Sequence, residues 1–299
     1  MKNICYWNKS RRLYNLDFIK ILATFGILFH HYQQFFNVVF SGINFYGGKF
    51  SFGFLVELFF MISGFLVAYT DKGKPMYSFI SKKYLRFFPS VFLAGIAFLL
   101  IRTISFNTLG YDLDGRSYSM ANIIASLFLF HTGWGFEFSY AVNNPVWYLC
   151  VLMLCYLIYY IAKHLFDKRT PIFFLFLVII VTLFNYFNIS FPFFRQANVR
   201  GYASFFIGVL LHEIYSSKWK KYLNVFAILG IFCYTVCSVL KTISLWYSLV
   251  GFLFPAIVIF AVTSEQLNHH MLALWGGYHL MSTYGTDAYL ESYCYVVSI

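Results

Sequence analysis

Lys20 and His31 stand eleven positions apart in one apolar run, Leu16 to His31. Eleven residues make about three helical turns, so on a helix both side chains share a face, roughly 16 Å apart along the axis. His30 falls about 80° from Lys20 and looks elsewhere. Charge inside a membrane helix costs about 2.5–3.5 kcal/mol or more, which marks such residues as functional candidates. An ammonium offers anion binding, and an imidazole offers proton transfer near neutral pH. The plainer alternative has Lys20 snorkelling to the headgroups and His31 hydrogen-bonding a neighbouring helix.

Three further stretches hold chemistry. In Phe52 to Val67, Glu57 is an acid within an apolar segment, where a carboxylate either protonates or seeks a partner such as His31 or Lys20. The adjacent Ser63 and Gly64 are small enough to admit a neighbouring helix. In Ser81 to Pro89, Lys82, Lys83 and Arg86 place three cations within about one helical turn, a grip for a phosphorylated ligand or simply a topology signal. In Asn143 to Leu149, asparagine suits a helix cap, Pro145 the first turn, and Trp147 and Tyr148 the membrane interface. Arg195 and Arg200 bracket the outer start of a later apolar segment, placed either to snorkel or to touch an extracytoplasmic substrate.

These residues require elements that hold them in a membrane. Hydrophobic residues make up 60% of the chain and charged ones 11%, against about a quarter charged in a soluble domain. Apolar stretches near 16–38, 52–70, 87–104, 146–163, 171–188, 199–215, 222–240 and 244–263 are long enough for about 30 Å of hydrocarbon. The expected fold is an all-α polytopic transmembrane bundle of about eight or nine spans, with 120–131 too short to cross and therefore re-entrant or interfacial.

Net charge is +11, but its distribution argues against nucleic acid. Basic clusters at Lys2 to Arg12, Lys72 to Arg86, Lys163 to Arg169 and Lys218 to Lys221 recur on alternate sides. The positive-inside rule then puts the N-terminus in the cytoplasm, with 105–145 as an outer cap containing Asp112, Asp114, Arg116 and Glu137; the expected location is the plasma membrane. No cleavable signal peptide is expected. The six cysteines do not read as a disulfide framework, and no metal-ligand spacing is present; His212-Glu213 lacks a second histidine, and His269-His270 lies in a polar tail.

Taken in order, these stretches resemble the acyltransferase 3 family of integral membrane acyltransferases. The resemblance comprises the leading Leu16-Asp17, Lys20 followed after ten residues by His31, and the Glu57 to Leu66 segment. It continues through the basic stretch from Lys82 to Pro89 and the Pro145-x-Trp147 pair. It implies transfer of an acyl group, commonly acetyl from cytoplasmic acetyl-CoA, to a sugar outside the membrane, without a metal. By position, His31 is the catalytic base or transient acyl carrier, and Glu57 orients or tunes it. Lys20, Lys82, Lys83 and Arg86 hold the coenzyme A phosphates, while Asn144, Trp147 and Arg200 contact the acceptor. Partners implied are membrane lipid, a polysaccharide or sugar acceptor, and polysaccharide-biosynthesis proteins.

Two departures shape this reading. Leu152 stands where many members carry Glu after the Trp, which favours an exopolysaccharide-type acceptor. Residues 264–299 are polar and tyrosine-rich and read as a divergent or truncated tail after a transmembrane domain at 1–263. A proton-coupled transporter stays open as an alternative, since intramembrane Lys, His and Glu also build proton relays, although no internal repeat is apparent. An inactive accessory subunit is the other alternative.

Overall fold

The structure is a computed structural model that describes residues 13–36, 51–71, 75–112, 115–135 and 141–264, with residues 42, 44, 46 and 73 singly. The basic residues at 2–12, Lys72, Lys74, Asp114, Glu137, His269-His270 and the rest of the 265–299 tail lie outside the described residues. Among the described residues every regular element is helical. Helix α1 is Tyr14–Phe36, and a 3-10 turn, Phe52–Phe54, leads into α2 at Leu55–Thr70. Then follow α3 (Met76–Leu109), α4 (Met120–Leu127), α5 (Val146–Phe166), α6 (Thr170–Tyr186), α7 (Gln196–Tyr215) and α8 (Leu223–Leu240). The last rod is α9 (Leu245–Ser248), a π turn at Leu249–Leu253, and α10 (Phe254–Thr263).

Among the described residues, five helical stretches are long and apolar enough to cross a membrane: Phe52–Thr70, Met76–Leu109, Val146–Tyr186, Lys218–Leu240 and Leu245–Thr263. The 41-residue stretch is two packed helices, because Asp167 at φ 44° breaks it and Tyr159 stacks on Phe174 at 5.8 Å. Helices α1 and α7, expected as spans, are long but less apolar. Asp17, Lys20, His30 and His31 dilute α1, and Arg200, His212 and Glu213 dilute α7. The polar residues that make them candidates are the ones that weaken their hydropathy.

Close packing centres on α2 and α7, which run parallel. A Cβ on Gly64 would lie 1.9 Å from the Phe205 carbonyl oxygen, and one on Gly208 would lie 1.9 Å from that of Met61. The small pair expected at Ser63-Gly64 therefore admits α7, backbone against backbone. Asn15 ties the start of α1 to the end of α10, its Nδ2 donating to Ala261 O at 2.9 Å. Glu57, Arg200 and Trp246 all lie near the starts of their helices and so gather at the opposite end.

Helix α4 has eight residues, about 12 Å, well short of a crossing. Ser119 caps its start, accepting the Asn122 N–H, and Leu129 at φ 65° ends it. The segment folds back along α3: Leu127 lies against Gly95, and the Tyr84 hydroxyl donates to Phe128 O at 3.3 Å. Within the expected cap, Asp112 accepts two hydrogen bonds from Arg102, at 2.8 and 2.7 Å.

Candidate active site

Helix α1 is unbroken from Tyr14 to Phe36, so Lys20 and His31 keep the shared face that their spacing predicts. His31 Nδ1 lies 3.1 Å from Gln34 Oε1, one turn on. An amide oxygen only accepts, so Nδ1 carries the proton and the free lone pair is left on Nε2, the atom a base would use. His30 turns instead toward the 3-10 turn that precedes α2, where a Cβ on Gly53 would meet its ring at 2.8 Å. Lys20 is buried, with its ammonium 3.7 Å from Asp17 one turn back.

Glu57 corrects the sequence reading. Its expected partner was His31 or Lys20, but its carboxylate is held by Arg200, Nε to Oε1 at 2.6 Å and Nη2 to Oε2 at 3.1 Å. The Trp246 indole N–H donates to the same Oε1 at 2.9 Å. Glu57 is fully buried, so a carboxylate there needs such a fork-to-fork cation and a further donor to offset lost hydration. The Arg200 guanidinium in turn lies over the Trp147 ring at 5.2 Å and the Phe54 ring at 5.8 Å. Two residues placed separately in the sequence as acceptor contacts, Trp147 and Arg200, are thus one assembly with Glu57. Asn144 is exposed, and its link to the assembly is through its backbone. No side chain caps α5, and the Asn143 and Asn144 carbonyls instead accept the N–H groups of Val146 and Trp147.

The basic cluster is also repositioned. Helix α3 starts at Met76, about three turns before the expected span, so Lys82, Lys83 and Arg86 sit within the helix, in its first three turns. The Lys83 ammonium lies 5.1 Å from the Tyr156 ring, and Tyr156 is about 15 Å along α5 from Val146. Lys82 is exposed, while Lys83 and Arg86 are half-buried. All three fall within about 100° of the helix circumference, an arrangement that fits an elongated phosphorylated molecule lying against α3.

At the other end of α2 a cavity of about 670 Å³ is lined by Asp71, Pro75, Met76, Tyr160, Lys163 and His164. Asp71 is paired with Lys163 and also accepts the Tyr159 hydroxyl at 3.1 Å and the Gly73 N–H at 2.9 Å. Burial works to raise its carboxyl, but Lys163, the Gly73 N–H and Tyr159 together hold it below the usual carboxylate range. Among the described residues no group of His, Cys, Asp and Glu is arranged to hold a metal.

Sequence reasoning missed Gln34 and Trp246. Gln34 had a signal, since a residue three positions from a helical histidine lies beside it. Trp246 had none beyond an interfacial tryptophan in an apolar run.

An unbroken helix carrying a cation and an imidazole, beside a bundle that buries a carboxylate, describes a membrane protein equipped for proton and group transfer. The chain matches the acyltransferase domain of the acyltransferase 3 family over residues 13–297 and belongs to that family. It is therefore a membrane acyltransferase by family and by its apolar helices. No curated protein and no solved structure matches the chain.

Proposed function

We propose that this protein moves an acetyl group from cytoplasmic acetyl-CoA to a hydroxyl of an exported polysaccharide, in the plasma membrane with its N-terminus inside. The observation that carries the reading is His31 Nδ1 held at Gln34 Oε1, which leaves Nε2 as a base on the face that Lys20 shares. Lys20, Lys82, Lys83 and Arg86 hold the donor phosphates. The cavity beside Lys163 and His164, at the Lys20 end of the bundle, gives the nucleotide room.

In the transfer, His31 Nε2 takes the proton of the acceptor hydroxyl as its oxygen attacks the thioester carbonyl. A C–O bond forms, the C–S bond breaks, and the imidazolium returns its proton to the departing thiolate. Trp147 offers a ring face to a sugar, and Arg200, one quarter exposed, offers N–H donors beside it. Leu152, fully buried where many relatives carry an acid, leaves Glu57 and its partners as the polar assembly near the acceptor end. Glu57 acts as a strut for Arg200.

The test is labelled acetyl-CoA with purified protein in lipid nanodiscs, with and without polysaccharide from the producing cell. Label transfer that is lost in His31→Ala supports the reading. Substrate flux across vesicles without donor turnover makes the protein a transporter instead.

A further inference from the structure

We propose that Trp246 is a positioning residue for acceptor recognition, and that the π turn beside it exists to aim its indole at Glu57. The proposal rests on the acyltransferase reading above. The last rod, Leu245–Thr263, is one 19-residue helical stretch interrupted by the π turn at Leu249–Leu253. Phe254, Val258 and Ala261 lie within about 60° of one another on α10, at one side of a buried arc of about 220° that also takes in Ala256, Ile259 and Val262. On an uninterrupted α-helix Trp246 would stand about 80° off Phe254. The π turn absorbs one extra residue, about 100° of rotation, and returns Trp246 to within about 20° of that face. Such turns recur at functional sites.

The contact made there has a defined consequence. Trp246 is buried and its N–H reaches Glu57 Oε1 at 2.9 Å, the same oxygen that Arg200 Nε reaches at 2.6 Å. Oε2 is held by Arg200 Nη2 at 3.1 Å. Three donors thus fix the carboxylate plane, and that plane fixes the guanidinium over Trp147 at 5.2 Å. On the next residue, the Tyr247 hydroxyl accepts from Asn185 Nδ2 at 3.0 Å, anchoring α9 to α6. Without the indole donor the two-point pair with Arg200 remains, but Oε1 loses its donor from α9, and the seat of Arg200 over Trp147 then rests on α2 without that brace.

Trp246→Phe keeps most of the ring and removes the N–H. It should weaken equilibrium binding of oligosaccharide fragments of the producing cell's exported polysaccharide about tenfold. Acceptor KM should rise by the same factor, leaving donor KM and kcat at saturating acceptor unchanged. A fall in kcat with unchanged acceptor binding, or equal loss on donor and acceptor, overturns the proposal. A second readout needs no turnover. In protein carrying 15N-tryptophan, the indole resonance that Trp246→Phe deletes should move in Glu57→Gln, and an unmoved resonance also overturns it. If wild-type protein transfers no acetyl group, the acyltransferase reading fails by itself, and fragment binding and the resonance still decide the role of Trp246.

Discussion

The Glu57 carboxylate and the Arg200 guanidinium, 143 residues apart in the chain, meet through two N–H···O bonds of 2.6 and 3.1 Å. They join α2 to α7 where both begin and where the two backbones start their close approach. Removing one partner strands the other. Arg200→Ala should destabilise the protein by about 3–5 kcal/mol, since it leaves a fully buried carboxylate with the indole as its remaining side-chain donor. The Glu57→Gln/Arg200→Ala double variant should cost clearly less than the sum of Glu57→Gln and Arg200→Ala measured singly. Thermal unfolding of the four proteins in one detergent closes the cycle, and simple additivity would mean that the pair is not coupled.

The α2–α7 seam makes its own prediction. Gly64→Ala drives a methyl group into the Phe205 carbonyl, a backbone atom that cannot swing aside. A loss of about 1–3 kcal/mol or more follows. Gly251→Ala meets open space and should be neutral or stabilising by about 0.5–1 kcal/mol. Unfolding midpoints measured side by side check both, and similar midpoints would remove the steric argument.

If His31 is the base proposed above, His31→Ala should lower acyl transfer by about 10²–10⁴-fold at every pH. Gln34→Ala keeps the imidazole but releases the tautomer, so a smaller loss of about fivefold is expected, equivalent to one hydrogen bond of roughly 1 kcal/mol. His30→Ala should act on stability, through the gap left against Gly53. Transfer assays on the three variants check this; a loss with His30→Ala and none with His31→Ala would reverse the assignment.

Asp71 gives a pH dependence with a definite sign. Its folded carboxyl titrates below the unfolded value of about 3.9, so the stability it contributes is fully present above that value. The contribution is lost as pH falls through the lower folded value. Asp71→Asn should therefore be less stable than wild type at pH 5–7, with the gap closing below about pH 4. Unfolding curves across that range are the measurement, and a gap that widens in acid would contradict the Lys163 and Tyr159 contacts.

The sequence by itself determined whatever repeats along one helix or depends on composition. Helix geometry is local, so the Lys20–His31 relation holds in α1 as the spacing requires. The eight-residue α4 was legible as too short to cross, and Gly64 as a site of close approach. Helix α3 begins about three turns ahead of the expected span, because a basic cluster marks where apolar sequence starts and not where the helix starts. Seen from the apolar pattern alone, the acid at Glu57 demanded a partner but could not select one. Arg200 and Trp246 were chosen by tertiary structure. The glycine-lined contact of α2 with α7 sets the depth of Arg200, and one extra residue in a π turn sets the direction of Trp246. Both depend on how separate helices pack, and packing between elements far apart in the chain leaves no period in the sequence to read.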